Sequence, residues 1–169
     1  MQIRKWIHNL KHHFLRGFRE VFIHHHSSME FRAKLFALII APNEKYAKCE
    51  AEILKHNSEL IYEDKTRSEA LINLTNEYLS KINAPNGLGI DQLVADIVKD
   101  LKEYRRFATK IDINLLLPIQ LCTLDDDDAL YQLRILEFLE RRRAEIDPFY
   151  TPILKGSRDV AIKVQQVKH

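Results

Sequence analysis

Apolar residues recur at spacings of three and four along most of this chain, and that periodicity restricts the backbone to helices before any other property is weighed. Ile3, Ile7, Leu10, Phe14, Phe18 and Val21 draw one such stripe. Leu71, Leu74, Tyr78 and Ile82 draw another, and Leu93, Ile97, Leu101 and Tyr104 a third. Only four glycines and five prolines interrupt the 169 residues, and 46% of them are apolar, so the pattern belongs to one folded helical domain. A chain of this length buries roughly 70% of its unfolded surface, enough for a core without disulfides or metals.

The interruptions set the expected boundaries. A first helix is expected over about residues 2–24, ended by His24, His25 and His26, with Ser27 or Ser28 capping a second that stops at Pro42-Asn43. A third carries Tyr46, Cys49, Ile53 and Leu54, and its pattern loosens at His56, Asn57 and Ser58. Thr66 or Ser68 opens a fourth, closed by the turn formers of Asn83 to Gly89. Asp91 caps a fifth that continues through Phe107, and Asp112 or Asn114 begins a short sixth with Pro118 in its first turn. The last helix runs from Asp125, Asp126, Asp127 and Asp128 to Arg141, Arg142 and Arg143, with acids at the positive end of its dipole and bases at the negative end. The expected fold class is therefore all-α, a single bundle of about seven helices. Residues 151–169 form a tail that reads equally as a short strand or a loose arm.

Cys49 and Cys122 lie far apart on apolar-looking stretches and form no CxxC, so they are expected to be buried free thiols, which suits a reducing compartment. No secretory signal is visible, and the longest apolar runs fall well short of the roughly 20 residues a membrane span needs. The expected location is cytoplasmic, with a peripheral position at the inner face of the membrane left open.

Charge is concentrated at one end. The first 34 residues hold seven of the 26 Lys and Arg but only two of the 24 acids, and six of the eight histidines lie there as well. Mild acid would make this segment strongly cationic, and an anionic surface is its natural partner. Trp6, Phe14 and Phe18, interleaved with Arg4, Lys5, Lys11, Arg16 and Arg19, suit a helix lying in a membrane interface. The same stripe would also serve for packing on the bundle or docking on a partner protein.

The chain also carries an internal echo. Phe36-Ala-Leu-Ile-Ile-Ala-Pro-Asn-Glu-Lys with Cys49-Glu-Ala-Glu-Ile-Leu repeats the layout of Leu117-Pro-Ile-Gln-Leu-Cys-Thr-Leu-Asp-Asp-Asp-Asp with Leu133-Arg-Ile-Leu-Glu-Phe-Leu. Each is an apolar helix, a polar turn and an amphipathic helix. Two such halves behind a basic helix resemble the TerB-like family of tellurite-resistance and DnaJ-like co-chaperone domains, over roughly residues 5–150. The resemblance implies two related helix-turn-helix halves, with residues 1–26 as an N-terminal helix, 27–150 as the helical domain and 151–169 as a tail. It also implies a divalent metal held at acidic turns, here by Asp125, Asp126, Asp127 and Asp128 with Glu44 and Glu50, although the family's turn glycine is missing from both halves.

Read without the resemblance, the aspartates need no ion, since one can cap the helix and the others remain solvated. An EF-hand register from Asp126 fails because Tyr131 would stand where glycine is required. The spacing of His8 and His12 beside His24 to His26 is weak evidence for zinc without further ligands. The Arg105-Arg106 and Arg141 to Arg143 clusters lie beside acids, so nucleic acid is not the favoured partner. The chain lacks a Gly-rich phosphate loop, a GxSxG elbow and an HExxH motif, which argues against an enzyme. The expectation is a non-enzymatic stress-response binding or adaptor module with a protein partner, no certain cofactor and contact with an anionic membrane surface. The competing reading is a structural or scaffold subunit of a larger membrane-associated assembly.

Overall fold

A computed structural model describes residues 23–43 and 48–154, with side chains from residue 28 onward. The fold is all-α. Six α-helices are described: α1 (Ile23–Ile40), α2 (Lys48–Ile61), α3 (Lys65–Asn83), α4 (Ile90–Glu103), α5 (Ile113–Leu121) and α6 (Asp126–Ile146), with a 3-10 helix over Arg105–Lys110 between α4 and α5. There is no strand among the described residues. The stripe proposed for residues 2–24 and nearly all of the tail lie outside them.

Helix α1 is the centre of the bundle. Phe31, Ala33 and every residue from Leu35 to Ile40 are buried, because a helix that is apolar on all sides can satisfy itself only inside a core. It packs against α3, α4, α5, α6 and the 3-10 helix. Phe31 stacks on Phe107 with ring centroids 5.0 Å apart, adding an aromatic contact to the burial of both rings. Two polar ties fix the rotation of α1: the Tyr78 hydroxyl of α3 donates to Glu30 at 2.6 Å, and Lys34 pairs with Asp100 of α4 at 2.7 Å.

Several boundaries differ from the sequence reading, each for a local reason. Helix α1 continues through His24 to His26 and through Ser27 and Ser28, so no cap forms there and the boundary drawn at residue 26 falls inside a helix. Asp64 caps α3 in place of Thr66 or Ser68, accepting from the Arg67 N–H at 2.8 Å. Gly89 is the N-cap of α4, which puts Asp91 in the first turn, where its charge still favours the helix dipole. That helix stops at Glu103, and Phe107 reaches the core from the 3-10 turn instead. Asp112 caps α5, with Pro118 in the helix interior and not in its first turn. Proline there removes one backbone donor, and the nearby Leu115 carbonyl takes an additional donor from Asn57 Nδ2 at 2.6 Å.

The Asn83 to Gly89 loop is as expected. Asn86 adopts a left-handed φ of 58°, and the Gly87 and Leu88 N–H groups turn back to the Ala84 and Lys81 carbonyls. A Cβ at Gly87 would lie 1.9 Å from the Lys81 carbonyl oxygen, so glycine is required at this position by close approach of backbone to backbone.

Beyond α6 the chain turns back on the bundle and is pinned by Glu140. This buried carboxylate accepts from the Tyr150 hydroxyl at 2.9 Å and from the backbone N–H groups of Ile153 and Leu154. Arg143 covers the Tyr150 ring at 4.1 Å and donates to the Ile111 carbonyl, tying α6 to the start of α5.

Two measurements test this packing. Phe31→Ala removes a fully buried ring and should cost about 3–5 kcal/mol in a urea unfolding experiment. Burial and the carboxylates of Glu30 and Glu140 hold the Tyr78 and Tyr150 phenols well above the ordinary tyrosine pKa. Both therefore stay protonated in the folded chain while the unfolded chain ionises near pH 10, so their contribution is intact below about pH 10 and is lost as pH rises above it. In an alkaline absorbance titration, two of the six tyrosines should ionise only as the chain unfolds.

Candidate functional site

The two helix-turn-helix units, α1–α2 and α5–α6, meet where their turns lie side by side. Cys49, the second residue of α2, and Cys122, at the C-terminus of α5, form a disulfide with Cα atoms 5.8 Å apart across 73 residues of sequence. This overturns the expectation of buried free thiols: Cys49 is exposed and Cys122 half-buried, and the argument for a reducing compartment loses its premise. The two cysteines are distant in sequence and adjacent in space, a juxtaposition that local spacing does not reveal.

Glu50, the residue after Cys49, is fully buried. Its Oε1 accepts from Asn43 Nδ2 at 3.0 Å and from Thr123 Oγ1 at 3.4 Å, so one carboxylate joins the first turn to the second. Two amide side chains reach across the same seam in reciprocal fashion. Asn57 of α2 donates to the Leu115 carbonyl of α5, and Gln132 of α6 donates to the Ile39 carbonyl of α1 at 2.8 Å. Each buried amide thereby meets a backbone acceptor, as a polar group out of water must.

Helix α6 starts at this seam. Asp125 is its N-cap, and Oδ1 accepts from the N–H groups of Asp127 and Asp128, both at 3.0 Å. Asp125, Asp126 and Asp127 are exposed, and they are bordered by apolar side chains that face solvent. Leu124 is 96% exposed, Leu121 72%, and Leu130 and Tyr131 44% each. An apolar residue just before an N-cap commonly packs against the first turn as a staple, but Leu124 does not, so its exposure has no local structural use. The result is a ledge of carboxylates flanked by aliphatic and aromatic surface. The aspartates were legible in the sequence. The exposure of Leu121 and Leu130 was not, because each continues an apolar stretch of its helix.

The proposed metal ligands are distributed as follows. Glu50 lies inward among Asn43 and Thr123, while Asp125 to Asp127 face water. Glu44 lies outside the described residues, as do Arg4, Lys5, Trp6, Lys11, Phe14, Arg16, Phe18 and Arg19. Among the described residues no three His, Cys, Asp or Glu side chains converge as a metal-binding group. The donor set of six or more oxygens that a hard cation wants is thus not assembled by them. No described helix is long and apolar enough to cross a membrane.

Two recesses are bordered by cationic side chains. Arg32 and Lys110 border a recess of about 10 Å³, too small for more than a water molecule. Burial lowers the pKa of both, and for Lys110 the neighbouring charges of Arg32 and Arg106 lower it further. Arg105 and Arg142, from the two arginine clusters, converge on a larger groove between the ends of α4 and α6.

Compared with known proteins, the chain matches no family model, no curated protein and no solved structure.

The covalent tie is directly testable. Replacing both cysteines by serine, or reducing the protein, should lower unfolding stability by about 4 kcal/mol through release of the long loop in the unfolded chain. Thiol alkylation of the unreduced, denatured protein followed by mass measurement should add no label.

Proposed function

We propose that the chain is a non-enzymatic binding module of the TerB-like kind, which docks a basic, apolar-faced protein partner on the ledge at the start of α6. The observation that carries this reading is the combination of three exposed aspartates with Leu121, Leu124, Leu130 and Tyr131 on a rigid corner. Exposed apolar groups next to one sign of charge favour a partner with the opposite charge and a complementary apolar face. The disulfide and Glu50 support the reading because they hold that corner at a helix junction and limit the ordering cost on binding. Contact with an anionic membrane surface belongs to residues 1–26 in this proposal, and a weakly held divalent cation to the solvent-facing aspartates.

The test is photocrosslinking from position 124 in cells carrying the full chain, with position 69, an exposed site on α3, as control. A discrete protein adduct from position 124 that disappears in the Asp126→Lys/Asp127→Lys variant is the expected result. Identical adducts from both positions, or an adduct indifferent to the charge reversal, would sink the ledge as a docking site. Flotation on anionic and neutral vesicles, with Ca²⁺ and with chelator, examines the other two parts. Binding to anionic vesicles should be lost when residues 1–22 are removed, which leaves α1 whole, and a response to Ca²⁺ should vanish in the aspartate variant.

A further inference from the structure

At the other end of α6, far from the ledge, a groove of about 250 Å³ opens between α4 and α6. Val98, Leu101 and Ile146 supply its apolar lining, and Lys102, Arg105 and Arg142 supply cationic groups. Among the described residues Glu145 is the one acid that lines it, and it is paired with Arg142 at 2.9 Å. Lys102 and Arg105 are exposed and have no ion pair among the described residues, so the groove carries two uncompensated positive charges beside aliphatic surface.

This convergence is a tertiary one. Arg105 ends the connection out of α4 and Arg142 lies near the end of α6, so two basic clusters that each stand beside acids in the sequence are brought to one opening. Arginine presents a planar fork suited to carboxylate or phosphate oxygens, and lysine a movable point charge. The apolar lining rules out a purely hydrated anion as the best fit, because such a ligand would leave Val98 and Ile146 facing water. The volume is slightly below that of a drug-sized pocket, which admits a short aliphatic chain and excludes a folded peptide.

We propose that this groove binds an amphiphilic anion, a phosphate or carboxylate head carried on a short aliphatic chain. The head lies against Lys102 and Arg105, and the chain lies along Val98, Leu101 and Ile146. The Arg142–Glu145 pair closes one side and lets Arg142 swing from Glu145 to the head group. A free amphiphile and the head of a membrane lipid share this chemistry.

The experiment is a titration of the full chain with octyl phosphate, followed by backbone amide chemical shifts. Inorganic phosphate and octyl glucoside serve as probes that carry only the head charge or only the chain. Saturable shifts centred on Val98 to Arg105 and on Arg142 to Ile146 are expected, with each control probe weaker by about tenfold or more. Lys102→Gln/Arg105→Gln replaces two exposed side chains, so it should fold as the parent does and weaken octyl phosphate binding by about tenfold. Val98→Ser provides a second, uncharged variant, which should weaken the chain's contribution and leave the response to inorganic phosphate unchanged. Shifts scattered over the surface, equal response to octyl glucoside, or unchanged binding in the double glutamine variant would overturn the proposal. Flotation on phosphatidic acid vesicles identifies the source. A fall in the double glutamine variant points to lipid, and octyl phosphate binding with unchanged flotation points to a free amphiphile.

Discussion

Everything in this bundle is arranged around the complete burial of the second half of α1. From Leu35 to Ile40 there is no polar side, so the helix cannot be stable at a surface and must be enclosed. Helices α3, α4, α5 and α6 and the 3-10 turn are the wall that encloses it. Each large side chain removed from water contributes roughly 1.5–3 kcal/mol, which has to offset the ordering of a long chain. The 3-10 helix contributes to the same enclosure, because Phe107 reaches the Phe31 ring from it.

Enclosing an apolar helix does not by itself fix which neighbour lies where. That choice falls to a small set of buried polar groups at the seam between the two helix-turn-helix units. Glu50, Asn57 and Gln132 each have a defined partner on the other unit, and displacement by one helical turn would leave them unsatisfied in the core. Such contacts add modestly to net stability and strongly to uniqueness, since the cost of losing the partner exceeds the gain from having it. The Cys49–Cys122 disulfide fixes the same register from the outside.

Helix α6 then displays two different surfaces. It is 21 residues long, about 30 Å, with aspartates at its first turn and Arg143 at its last. The dipole favours that distribution in a single helix, so the polarity costs nothing in stability. Because the two ends are held against different neighbours, the acidic end borders exposed leucines and the basic end borders a groove of α4. One stabilising charge pattern is thereby converted into two chemically opposite surfaces.

Helix content, an aspartate cap at the start of α6 and the Asn83 to Gly89 turn could be read from the chain alone, because periodicity, capping and turn chemistry act within a few residues. Local reading failed where the partner is distant in sequence. Asn57 and Ser58 look like a weak point in an apolar stripe, yet they form the inward face of α2 because a carbonyl of α5 and the Leu54 carbonyl stand ready to accept from them. Leu121 and Leu130 continue apolar stretches, yet they face solvent in the folded bundle. The cysteines and the two arginine clusters are the same case. Their chemistry is written in the sequence, but pairing and convergence are set by distances of a few ångströms between segments tens of residues apart, and only the packing of α1 against its neighbours decides those.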